Sequence, residues 1–161
     1  MNRKIRNVLS VLGLAATVGV MAPGAATAGT ATTGTATTTT TPVGTWRGTV
    51  DHGDGSGQIT VAFHKGGLVC LTAGDGSDGG GQGLGIWNQT GDGTFTYRLV
   101  ERMFKADGTT VGFVDVNQKA VQQGGAFDSS GTSRVYDATG TYLTSVEAEV
   151  SVERVSTTPT C

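Results

Sequence analysis

LGIWNQTGDGTFTYRLVE, residues 84–101, reads as a strand, a Gly91-Asp92-Gly93 turn and a second strand. In the second strand Phe95, Tyr97 and Leu99 alternate along one face, the period-two pattern of a half-buried strand. From Val43 onward the chain repeats this grammar. Alternation predicts strands over Thr45–Asp51, Gln58–His64, Leu68–Ala73, Leu84–Gln89, Thr94–Phe104, Thr109–Lys119, Ala126–Tyr136 and Thr141–Val155. The last separates its faces cleanly, Val146, Ala148, Val150 and Val152 against Glu147, Glu149, Ser151 and Glu153. No segment after residue 28 has helical period, so sequence neighbours pair as antiparallel hairpins. Eight such strands close on themselves and remove exposed edges. The expected fold is an all-β, eight-stranded antiparallel up-and-down barrel over residues 43–155, with a sandwich as the competing arrangement.

The chain before the barrel has a different character. Arg3, Lys4 and Arg6 precede an apolar run, Val8 to Met21, and then Ala26-Thr27-Ala28. This is the order of a secretory signal peptide, residues 1–28, and the run is short for a membrane span. Residues 29–42, almost only Thr, Ala and Gly, have no apolar face to bury and read as a disordered spacer. Of 11 basic and 13 acidic residues, the signal holds three basic and no acidic ones. The remainder carries eight basic against 13 acidic residues, a net charge of −5. A mildly acidic chain with scattered cations has no footprint for nucleic acid, nor for an anionic membrane after signal cleavage.

Cys70 and Cys161 are the only cysteines. In an oxidising compartment they most simply form one disulfide, tying the tail, residues 156–161, to the barrel wall. A free Cys70 and an intermolecular bond through Cys161 are the alternatives.

Val43-Gly44-Thr45-Trp46 resembles the Gly-x-Trp opening of lipocalins and avidin-type barrels, the calycin group. The eight-strand order, with Gly83-Leu84-Gly85-Ile86-Trp87 and Gly91-Asp92-Gly93-Thr94-Phe95, is similar to small barrels of the allene-oxide-cyclase type. Dirigent proteins and some bacterial polyketide cyclases share that architecture. The resemblance implies an interior pocket and, in its second form, cyclase or isomerase activity without a cofactor. The chain is shorter than typical lipocalins and lacks their C-terminal helix.

Few residues signal chemistry directly. Gly74-Asp75-Gly76-Ser77-Asp78-Gly79 spells G-x-G-x-x-G, but a strand follows where phosphate binding needs a helix N-terminus. Asp51, Asp54 and Asp75 offer oxygen to a hard cation, yet counting twelve from Asp75 reaches Ile86 where an EF-hand needs Glu. His52 and His64 form no metal-binding spacing, so no metal is assigned. No Gly-x-Ser-x-Gly elbow is present. Asn88-Gln89-Thr90 is a glycosylation sequon, read only by a host that uses it.

The informative residues are polar ones in phase with apolar faces. Glu101 shares its face with Phe95, Tyr97, Leu99 and Met103, while Asp115 and Asn117 share theirs with Val111 and Phe113. With those faces inward, Trp46, Trp87, Phe95, Tyr97, Leu99 and Phe113 give contact area, and Glu101, Asp115 and Asn117 give orientation. A carboxylate held there has a raised pKa, which makes Glu101 and Asp115 candidate general acids or bases. The alternative placement is outside the barrel, with pairing to Arg98, Arg102 or Arg134. The expectation is a secreted barrel that holds a small, largely apolar molecule without a cofactor. A cofactor-free cyclase or isomerase is the alternative, and a filled barrel serving as a surface-interaction module is the third.

Overall fold

The computed structural model describes residues 40–161; the expected signal, residues 1–28, and the spacer up to residue 39 lie outside the described residues. Eight strands follow in order: β1 (Gly44–Asp51), β2 (Ser56–Phe63), β3 (Leu68–Ala73) and β4 (Gly79–Gly91). The second half is β5 (Thr94–Lys105), β6 (Thr110–Gln123), β7 (Ala126–Asp137) and β8 (Tyr142–Ser156). Each pairs antiparallel with its neighbour, and β8 returns to β1, so the sheet closes as a barrel. The expected fold is therefore the observed one, and closure rules out the sandwich.

Side chains pointing inward fill one end of the barrel with aromatic rings. Trp46, Phe63, Phe95, Tyr97 and Phe127 are each at most 2% exposed. Phe63 is the hub: its ring lies 5.1 Å from Phe95, 5.5 Å from Tyr97, 5.8 Å from Phe127 and 6.1 Å from Trp87. These edge-on arrangements add to the area burial that large rings supply. Beneath this plug the incoming chain crosses the barrel end. The Trp46 indole donates to the Pro42 carbonyl at 2.7 Å, and the Arg154 guanidinium lies 4.3 Å over the Trp46 ring. Thr40 is already tied to the barrel, its amide donating to Asp92 and its carbonyl accepting from Gln89, each at 2.9 Å.

The tail is fixed at the same end. Thr45 Oγ1 donates to the Thr158 carbonyl at 2.9 Å and accepts from the Thr160 amide at 3.0 Å. Cys70 and Cys161 form the disulfide that the cysteine count suggested. His64 lies beside it, Nε2 3.0 Å from Cys161 Sγ.

Two features depart from the expected strands. Residues 79–83, Gly-Gly-Gly-Gln-Gly, were expected as loop and instead begin β4. Glycine usually weakens a strand, but here its missing side chains are occupied by neighbours. A Cβ on Gly81 would collide with the Glu101 side chain, and one on Gly83 would sit 2.7 Å from Leu99 Cδ1. The second departure is the phase of β6. Its inward residues are Gly112, Val114, Val116, Gln118 and Ala120, because Tyr97, Leu99 and Glu101 of β5 pair with Gln118, Val116 and Val114.

Barrel closure also constrains Gly48 on β1. A Cβ there would meet the Ser151 carbonyl and stand 2.8 Å from Val152 Cα, backbone atoms that cannot step aside. Gly48→Ala is expected to cost about 3 kcal/mol, at the upper end of ordinary overpacking. Gly57→Ala on the adjoining strand, where the nearest atom is Val50 Cγ1 at 3.9 Å, is the control. Equal urea midpoints for the two variants would contradict the close β1–β8 seam.

Candidate functional site

Above the aromatic plug the barrel interior stays open as a cavity of about 250 Å³. Its walls come from inward positions of seven strands, chiefly Ile59, Leu71, Val114, Val116, Ala148 and Val150. Met103, Val135 and Val146 lie nearer the mouth, and His52 and Asp54 reach it from the β1–β2 turn. The lining is predominantly aliphatic, with a few polar groups set into it, the usual make-up of a small-molecule pocket.

Glu101 is the one carboxylate within the strands that lines this space. Gly81 across on β4 leaves room for its side chain, so one glycine and one acid form a matched pair. Among the described residues it has no hydrogen-bond partner and no ion pair. Burial alone therefore acts on it, and desolvation pushes its pKa up to about 7. Deeper in, the Tyr97 hydroxyl and Ser129 Oγ hydrogen-bond at 2.9 Å, and burial raises the phenol to about 12 despite that bond. Gln118, 1% exposed, donates from Nε2 to the Ala148 carbonyl at 3.3 Å, while its Oε1 is buried without a partner.

The rim is organised by aspartates that act on their own turns. Asp75 Oδ1 accepts from the Ser77 amide at 2.9 Å and hydroxyl at 2.7 Å. Asp107 accepts from the Thr109 amide, and Asp137 from the amides of Thr139 and Thr141. Hydrogen bonds to the charged form lower all three pKa values, with Ser77, Thr109 and Thr139 the leading partners. Asp51 likewise accepts from the Gly53 amide. The G-x-G-x-x-G stretch is thus a turn closed by Asp75 and followed by β4, with no helix for an anion.

The expected site residues divide into three groups. Tyr97 and Glu101 line the cavity. Trp46, Trp87 and Phe95 belong to the plug, and Leu99, between Tyr97 and Glu101 on β5, lies against Gly83; all four are outside the cavity lining. Phe113, Asp115 and Asn117 do not point inward, which corrects the expected phase of β6. Asp115 pairs across the outer wall with Arg98 at 3.8 Å and sits in register with Arg134. Asn117 lies beside them in an outer groove with Thr132 and Ser145. The physical reason is that β6 is apolar on both sides. Phe113 marked one phase strongly, while Val114, Val116 and Ala120 support the other, and only the outward phase keeps the Asp115 charge in water.

Most of the cavity wall was not expected. Ser133 and Gln118 are inward polar residues, and a polar residue at an inward position breaks the alternation that sequence reading relies on. His52, whose spacing in the sequence marks no site, contributes to the mouth. Compared with protein-family models, curated proteins and solved structures, the chain finds no match.

Proposed function

We propose that the protein is an exported binder of a small, largely apolar molecule held in the open half of the barrel. The observation that carries this reading is the aliphatic cavity of about 250 Å³, closed below by the aromatic plug and open between the turns above. Ligand pockets span roughly 300–1,000 Å³, so the occupant is smaller than a drug-sized molecule. Pre-formed walls spare the ordering cost that a collapsed barrel would impose on binding. The disulfide and the signal-like sequence before residue 29 both support export.

The neutral, polarity-sensitive fluorophore 4-(dimethylamino)benzonitrile tests the reading. Its emission should shift on binding with a micromolar Kd, and Val146→Trp, which fills the mouth, should weaken binding by about tenfold or more. Glu149→Trp, on the outward face of the same strand, serves as the control for a general loss of structure. Unchanged binding by Val146→Trp would remove the cavity as the site.

A second reading, a cofactor-free cyclase or isomerase, draws support from Glu101. A buried carboxyl with a pKa of about 7 is poised to give and take a proton near neutrality. The apolar wall would fold the substrate and Glu101 would move the proton. For any substrate turned over, Glu101→Gln then abolishes turnover; activity that survives intact excludes Glu101 as the proton carrier.

A further inference from the structure

The ligand class can be narrowed from what the cavity lacks, an inference that rests on the cavity being a ligand site. Among the described residues no lysine or arginine contributes to its lining, and His52 at the mouth forms no hydrogen bond or ion pair with Glu101, which places a carboxylate inside the aliphatic wall. A buried carboxylate is costly unless a cation or several donors meet it. Glu101 has neither among the described residues, and Arg98 and Arg102 of its own strand are engaged elsewhere. Arg98 faces the outer wall with Asp115, and Arg102 donates to Thr110 Oγ1 at 3.2 Å and lies over the Phe104 ring.

A second, independent observation points the same way. Gln118 Oε1 is an unpaired, buried acceptor, and the Nε2 bond to the Ala148 carbonyl fixes which amide atom is left over. Glu101 and Gln118 are four residues apart across β5 and β6, since Glu101 pairs with Val114. Four residues of strand span roughly 13 Å of backbone, which inward side chains shorten. The lining therefore offers a charged acceptor near the mouth, and at depth Gln118 holds a neutral one that is closed off from the lumen in the ligand-free barrel. Ser133 can adapt as donor or acceptor, and the Tyr97 hydroxyl is engaged by Ser129.

We propose that the barrel takes an apolar primary amine, its ammonium group on the Glu101 carboxylate and its apolar body directed down the cavity toward Gln118. A hydrogen-bond donor at the far end of that body would meet Gln118 Oε1 once the amide turns into the cavity. The ammonium supplies the counter-charge that the protein does not, and the resulting charge-assisted hydrogen bond forms away from bulk water, where it is strong. Gly81 has a functional part here: it lets Glu101 lie against β4 and leaves the lumen to the ligand.

Calorimetric titration with three compounds of one shape tests this: phenethylamine, 2-phenylethanol and 3-phenylpropanoate, at about pH 8.5 so that the carboxylate is charged. Phenethylamine should bind about tenfold or more tighter than the alcohol, with the carboxylate weakest. Tyramine, which adds a phenol at the far end, should bind tighter again, and Gln118→Leu should erase that gain. Glu101→Gln should bring phenethylamine down to the affinity of the alcohol. If the alcohol or the carboxylate binds as well as the amine, the amine assignment falls while the cavity reading stands. It also falls alone if none of the three binds but the neutral fluorophore does. If the fluorophore is refused too, both fall together.

Discussion

Glu101→Gln is expected to stabilise the ligand-free barrel at alkaline pH by about 2–3 kcal/mol. The folded protein holds the Glu101 carboxyl at about 7, above its ordinary value of 4.5, because burial disfavours the charge. A raised carboxyl favours folding only while it is protonated. Its cost is absent below about pH 4.5, where folded and unfolded chains both carry the proton. The cost grows as pH rises, because the unfolded chain ionises freely, and is complete above about 7, where the folded chain ionises as well. Glutamine keeps the shape and removes the charge. Urea unfolding of both proteins across this range should give equal stabilities in acid and a gap that opens toward neutrality. The rim aspartates Asp75, Asp107 and Asp137 act in the opposite sense, losing their contribution as pH falls, but they are common to both proteins and cancel. A constant gap at every pH would show that Glu101 is solvated in the folded state.

The second large effect is expected from the disulfide. Cys70 and Cys161 are 91 residues apart, so the bond closes most of the barrel into one loop. In the chain-entropy view, a loop of that length restrains the unfolded chain by about 4–5 kcal/mol. The native geometry is prepared independently, since Thr45 holds the tail through Thr158 and Thr160. Little of the gain is then spent on ordering the tail. The Cys70→Ser/Cys161→Ser double variant should keep the barrel fold and lose on the order of 10–15 °C in Tm. A Tm within about 3 °C of the parent would show that the tail adds no restraint that the β1–β8 seam lacks.

Much of this architecture was legible because antiparallel strands with one buried face write their period directly into the sequence. The Phe95-Tyr97-Leu99-Glu101 face and the Val146-Ala148-Val150-Val152 face both point inward as their alternation implied. Reading failed where a position is defined by its neighbour and not by its own side chain. Gly81 and Gly83 look like loop residues, yet they belong to a strand because Glu101 and Leu99 need their space. Beyond Phe127 the inward face of β7 reads Ser129, Gly131, Ser133 and Val135, which carries little apolar signal, though Ser129 satisfies the buried Tyr97 hydroxyl. On β6 both phases are apolar, so the pairing with β5 decides what the residues themselves leave open. The division of the interior into plug and cavity depends on which rings meet around Phe63, a contact among four strands that no single strand encodes.

The most direct test of the account is to locate the ligand by methyl NMR, titrating protein labelled at its Ile, Leu, Val and Met methyl groups with phenethylamine. Binding inside the barrel predicts shifts at Ile59, Leu71, Met103, Val114, Val135 and Val146, which line the cavity. The outer wall carries its own exposed apolar residues, Leu84, Ile86 and Val100, and these should remain unmoved. Shifts confined to that outer set, with the interior methyl groups silent, would contradict the central claim that the open half of the barrel is the binding site.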